Sequence, residues 1–99
     1  MGKLRANTPT IYNVTLTNAN TEYSQALPAG TEKFAMQPRT AVDVRWAHVT
    51  GKVAGSVAPY MTMKSGFGVS VSDADPAALT VYLASGTAGT VVEIIAWSS

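Results

Sequence analysis

The sequence contains no cysteine among its 99 residues. A disulfide framework, a thiolate metal site and a cysteine nucleophile are therefore excluded. The same absence leaves the redox compartment open, because a chain without thiols does not respond to redox conditions. A chain of this length forms one domain and buries roughly 60–70% of the surface that it exposes when unfolded, enough for a core without covalent cross-links.

Charged residues are also scarce. They make up 13% of the chain, and the formal net charge is +1, whereas an ordinary soluble domain contains about 25% charged residues. The chain therefore has no global field that would attract nucleic acid or an acidic membrane. A surface with few charges costs little to desolvate, which favours burial against partners. An alternative interpretation of the low charge is a small secreted β domain whose polar, uncharged surface stays in contact with water.

Long hydrophobic runs are missing as well, since none approaches the roughly 20 residues of a membrane-spanning helix. The first residues are MGKLRANTP, with Lys3 and Arg5 but without the apolar stretch of a signal peptide. The simplest expectation is a protein made and retained without Sec-type export. We interpret residues 1–9 as an extended N-terminal arm, frayed or laid across a neighbour, and residues 10–99 as a single domain.

Side chains for catalysis or metal binding are sparse. His48 is the only histidine, and the six acidic residues are scattered, so neither a zinc site nor a carboxylate pair is expected. Asp73 and Asp75 lack the glycine and the later glutamate of a calcium loop, and capping of a helical turn explains them better. We therefore expect no enzymatic activity, no cofactor and no metal.

Alternation of apolar and polar residues dominates what is present. Eight short segments show the period of two that is typical of half-buried strands, with turn residues between them. These strands are predicted over residues 10–17, 22–27, 33–37, 41–48, 60–64, 67–71, 79–84 and 90–97. One helical turn is predicted from Asp73 to Leu79, with Asp75 as its N-cap. The pattern predicts an all-β protein, an antiparallel β-sandwich or a small barrel.

The phase of each strand predicts a core. Its members are the inward-facing apolar residues Tyr12, Val14, Leu16, Phe34, Met36, Val42, Val44, Trp46, Phe67, Val69, Val71, Leu79, Val81, Leu83, Val92 and Ile94. Asp43 and Arg45 point outward and are interpreted as solvated side chains. Residues 50–59 are rich in Gly, Ser and Ala and are interpreted as a flexible connection.

Two hairpins are predicted, one around Ser65-Gly66 and one over residues 79–97. The second has a return strand that is apolar on both faces, so its outer face needs a covering layer, which in a small chain can be another subunit. The candidate interface on that face consists of Tyr82, Val91, Ile95 and Trp97. In the alternative orientation the hairpin is inverted, and Leu83 and Ile94 are exposed instead.

Two long stretches resemble the small virion structural proteins of tailed bacteriophages. They are IYNVTLTNANTEYSQALPAGTEKFAMQPR at residues 11–39 and LTVYLASGTAGTVVEIIAW at residues 79–97. The resemblance rests on the order of a YNVTLT strand, a TEYSQALPAGT turn, an R-x-A-x-D-V-R strand and a TAGTVVEI segment followed by Trp97. It covers all but the N-terminal arm and is weakest at residues 51–63.

This resemblance implies a non-enzymatic β-sandwich or jelly-roll protein displayed in multiple copies on the virion, most simply as a capsid decoration or cement protein on the capsid exterior. It implies synthesis in the bacterial host cytoplasm and a homo-oligomer, usually a trimer, bound to the major capsid protein or other virion proteins. Lys3 and Arg5 of the arm join the candidate interface. The alternatives are a neck, tail or fibre component that attaches to host glycans, and a free-standing carbohydrate-binding domain.

Overall fold

A computed structural model describes residues 8–71 and 79–98 of the chain. Within these ranges it contains no helix and eight strands: β1 Thr8–Leu16, β2 Tyr23–Ala26, β3 Thr31–Pro38, β4 Val44–Ala47, β5 Met61–Met63, β6 Val69–Val71, β7 Thr80–Ala84 and β8 Thr90–Ser98. Every predicted strand is present. The helical turn predicted over residues 73–79 lies outside the described residues, except for Leu79.

The strands form two antiparallel four-stranded sheets. One has the order β1-β8-β3-β6 and is called here the 1-8-3-6 sheet, and the other has the order β2-β7-β4-β5 and is called the 2-7-4-5 sheet. Apart from β4 and β5, consecutive strands lie in opposite sheets. Eight strands interleaved between two sheets in this way make a jelly roll, which confirms the predicted fold class.

Both predicted hairpins are wrong. β7 lies between β2 and β4, whereas β8 lies between β1 and β3 in the other sheet. The connection between β7 and β8 therefore crosses from one sheet to the other. Two hydrogen bonds hold it there: the buried Ser85 donates its Oγ hydrogen to the Asp43 carbonyl at 2.9 Å, and the Gly89 N–H donates to the Leu16 carbonyl at 2.8 Å. Likewise β5 pairs with β4 and β6 with β3. Short turns that cross between sheets have the same residue types as hairpin turns.

The core lies between the two sheets. All predicted core residues belong to the central cluster or pack against it except Phe67, which is 69% exposed just before β6. Leu83 and Ile94 are almost fully buried, so the inverted orientation is excluded. The structure adds core residues that alternation did not predict, namely Leu27, Met63 and Ala96.

Replacement of Leu83 by Ala should destabilise the protein by about 2–5 kcal/mol, because a fully buried leucine leaves a cavity when it is truncated. Phe67→Ala is the matched control and should change the free energy of unfolding by less than about 0.5 kcal/mol, since its side chain is exposed. Urea unfolding of both variants measures the two values. A large loss in the Phe67 variant would place that ring in the core.

Candidate docking face

The outer face of the 1-8-3-6 sheet carries the side chains of the candidate site. The register of β8 with β1 and β3 arranges these side chains in rows across the sheet. The rows, each taken from β1 through β8 to β3, are Pro9–Trp97–Lys33, Ile11–Ile95–Ala35 and Asn13–Glu93–Gln37. Directly opposed side chains on one face lie about 4.5–5.5 Å apart at Cβ, so each row is a continuous surface.

The apolar part of this face is centred on Ile95. Ile11 stands beside it and is 67% exposed, a high value for a large aliphatic side chain. Ile11, Ile95 and Ala35 line a shallow depression of about 370 Å³ together with the neighbouring polar row. Trp97 borders the apolar row, with the Lys33 ammonium 4.8 Å from its ring centroid, a cation–π contact that fixes both side chains.

The polar row is ordered by Glu93. Its carboxylate accepts hydrogen bonds from Gln37 Nε2 and Arg39 Nε, both at 2.9 Å. The Gln37 bond and then the Arg39 bond lower the pKa of Glu93 below its ordinary value. Because the folded pKa is depressed, the associated stabilisation is present above the unfolded pKa and is lost as the pH falls through the folded pKa. The row therefore carries a fixed negative charge, partly neutralised by Arg39, at neutral pH.

The structure separates the predicted interface residues. Val91, Ile95 and Trp97 do share the outer face of the 1-8-3-6 sheet, on the outward-facing positions of β8. Tyr82 does not, because β7 belongs to the other sheet and the Tyr82 ring packs on the outer side of that sheet. Lys3 and Arg5 lie outside the described residues. Ile11 was predicted to point outward but was not assigned to the interface, since the β1–β8 pairing is not visible in the sequence.

The centre of the outer face of the 2-7-4-5 sheet is covered by the chain itself. Residues 48–60 fold over it, and Val53 is fully buried there against Ala47 and Ala84, with Tyr60 and Tyr82 around them. The connection that was interpreted as flexible is thus packed as a second, smaller apolar cluster. Val53 anchors the segment to the sheet, because it is an aliphatic residue in an otherwise Gly- and Ser-rich stretch and its side chain enters this cluster.

Arg45 holds this covering segment in place. Its Nε donates to the Val53 carbonyl at 2.6 Å, and its Nη2 donates to Asn20 Oδ1 at 2.9 Å. Glu22 fastens the same segment from β2's side by accepting from the Gly51 N–H at 2.8 Å. The interpretation of Arg45 as a solvated side chain is therefore wrong. Its planar guanidinium joins a backbone carbonyl of the covering segment to the side chain of Asn20.

Other chemistry is sparse in the described parts of the chain. Residues 8–71 and 79–98 contain no group of three or more His, Cys, Asp or Glu side chains that could hold a metal ion. His48 lies edge-on to the rings of Trp46 and Phe34, at centroid distances of 5.3 and 6.2 Å, where it closes one end of the core. No helix within the described ranges could cross a membrane.

Comparison with known proteins is informative only about the fold. No protein-family model matches the chain, and no curated protein matches it. A de novo designed double-stranded β-helix, solved by solution NMR, is similar, with a TM-score of 0.53 and 13% identity over 92% of this chain and 99% of the designed one. The likeness supports the all-β, two-sheet architecture.

Arg45→Ala should release the covering segment while leaving the jelly roll folded. The loss of the charged hydrogen bond to the partly buried Val53 carbonyl should cost about 1–3 kcal/mol. Amide hydrogen exchange should accelerate across residues 50–57, and it should stay slow in β8. Arg39→Ala, which removes an exposed ion pair, is the control and should leave exchange in that segment unchanged. Equal acceleration in both variants would contradict the role of Arg45.

Proposed function

We propose that this chain is a non-enzymatic structural protein that works in multiple copies, and that it attaches to its neighbours through the outer face of the 1-8-3-6 sheet. The observation that carries the proposal is the difference between the two outer faces. The centre of one is covered by residues 48–60, whereas the other presents Ile11, which is 67% exposed, beside the half-buried Ile95 and Trp97. An apolar centre with a polar border is the usual composition of a protein interface.

The assembly that we propose is a phage virion, with the chain as a decoration or cement protein on the capsid. Support comes from the resemblance of residues 11–39 and 79–97 to small virion proteins and from the low charge of the surface. Such a protein acts by mass action, because a ligand that binds only the assembled shell stabilises that shell against expansion. Neither binding to the shell nor its stabilisation requires a catalytic group.

A second candidate is attachment to host glycans by a neck, tail or fibre component. The polar row of Asn13, Glu93 and Gln37 favours it, because this row shares one face with Trp97, on the far side of the apolar row. Planar amides and a carboxylate suit sugar hydroxyls, and an aromatic ring suits the face of a sugar ring. Lys33 occupies one side of Trp97, which weakens this candidate. Glycan-array binding that is lost in Trp97→Ala would support it over the first.

Ile95→Asp should lower the mass of the assembly by breaking contacts through the docking face, and it should leave the chain folded, because it places a charge at the centre of the apolar row. Light scattering gives the mass and circular dichroism gives the fold. Ser24→Asp is the matched control, since Ser24 is exposed on the outer face of the other sheet, and it should leave the mass unchanged. If Ile95→Asp unfolds the chain, Ile95 belongs to the core rather than to a docking face.

Co-sedimentation with undecorated capsids tests the virion assignment directly. The intact chain should bind saturably at a fixed stoichiometry, whereas Ile95→Asp should weaken binding at least about tenfold. A chain that lacks residues 1–7 should keep its melting temperature, because the deletion leaves Thr8–Leu16 of β1 in place, and it should attach more weakly, since Lys3 and Arg5 are lost. Absence of saturable binding by the intact chain would refute the cement function.

A further inference from the structure

The four edge strands of the jelly roll differ sharply in length. β6 and β5 have three residues each and β2 has four, whereas β1 has nine. Natural sheets protect their edges by making edge strands short, or by placing charges, prolines or bulges along them, because an open edge pairs with strands of other chains. Three of the four edges are therefore protected by their shortness, and β1 is not.

β1 also lacks the other protective devices over most of its length. It pairs with β8 over nine consecutive positions without a register shift, so no bulge twists its edge away. No charged side chain occurs between Thr8 and Leu16. Only Pro9, at the beginning of the strand, removes one donor from the edge. The remainder of β1 is a regular, neutral strand.

The backbone groups that face away from β8 follow from the alternation of an antiparallel ladder. The backbone N–H and C=O groups of the even-numbered residues of β1 point toward β8. The bond from the Gly89 N–H to the Leu16 carbonyl, at the end of the ladder, indicates this direction. The N–H groups of Ile11, Asn13 and Thr15 therefore point outward. Among the described strands β1 pairs with β8 alone, and no backbone bond outside the strand ladders of the described ranges uses these three donors.

We propose that this edge pairs antiparallel with β1 of a second copy across a two-fold axis, so that the two 1-8-3-6 sheets become one continuous eight-stranded sheet. A second copy fits because the edge is self-complementary. Rotation by 180° brings the outward donors and acceptors of one β1 opposite those of the other. The absence of charge in β1 removes like-charge repulsion between the two copies.

The side chains favour the register in which Ile11 lies opposite Ile11 of the second copy. This register covers a side chain that is otherwise 67% exposed, and it joins the two apolar rows of Ile11, Ile95 and Ala35 end to end. It also places the Asn13 N–H opposite the Pro9 carbonyl of the second copy, where a proline can accept but need not donate. The docking face is doubled in length, and in this respect the inference rests on the proposed function.

A cysteine variant tests the pairing cleanly, because the natural chain has no thiol. In Ile11→Cys the two thiols of a pair would lie within disulfide reach, since opposed Cα atoms in an antiparallel ladder are about 4.5–5.5 Å apart. Mild oxidation should convert most of the protein to a covalent dimer. Thr62→Cys, exposed on the short β5 edge, is the control and should not form the covalent dimer. Equal cross-linking of both variants, or none in Ile11→Cys, would overturn the proposal.

A second pair of variants tests the backbone without a cysteine. Asn13→Pro removes an outward N–H and should weaken the dimer at least about tenfold in analytical ultracentrifugation, whereas Asn13→Ala keeps that N–H and should retain the dimer. Ile95→Asp separates the two proposals, because it damages the docking face but not the β1 edge. If it stays dimeric while capsid binding is lost, both hold. A trimer, or a dimer insensitive to Asn13→Pro, would refute edge pairing.

Discussion

The position of β8 is the constraint on which the rest of the structure depends. It is paired on both sides, with β1 and β3, and its inward residues Val92, Ile94 and Ala96 are almost fully buried in the core. A strand with two paired edges and one buried face has only its outer face left. Because that face carries Val91, Ile95 and Trp97, the most apolar strand of the chain contributes to the core and to the surface together.

The two sheets solve the problem of their outer faces differently. The 2-7-4-5 sheet is covered by a segment of the same chain, and Val53 and Arg45 supply the apolar contact and the hydrogen bonds that keep it there. The 1-8-3-6 sheet has a polar row ordered by Glu93 beside an apolar row without a cover among the described residues. The two sides of the molecule therefore differ, because the centre of one is covered by the chain itself and the other can lose water against a partner.

Much of the fold could be predicted from the sequence, and the reason is local. Alternation of side chains in strands such as β1 and β7 fixes which residues face inward, so the eight strands and nearly all of the core were predicted correctly. Strand pairing is a non-local property and was predicted wrongly wherever a short turn was taken for a hairpin. Tyr82 was misplaced for this reason, and Ile11 was missed because only the β1–β8 register brings it next to Ile95. The role of Arg45 depends on a segment folding back over it, which no periodicity reveals.

The covering segment that Arg45 holds in place has a further consequence for engineering. The Val57 N–H bonds to the Lys52 carbonyl at 2.7 Å and closes the base of the covering segment, so that Gly55 and Ser56 form a solvent-exposed tip on the side opposite the docking face. A foreign peptide inserted at this tip would leave Val53 and its arginine anchor in place. The jelly roll would then serve as a display scaffold, with the inserted peptide on the side of the molecule opposite the docking face.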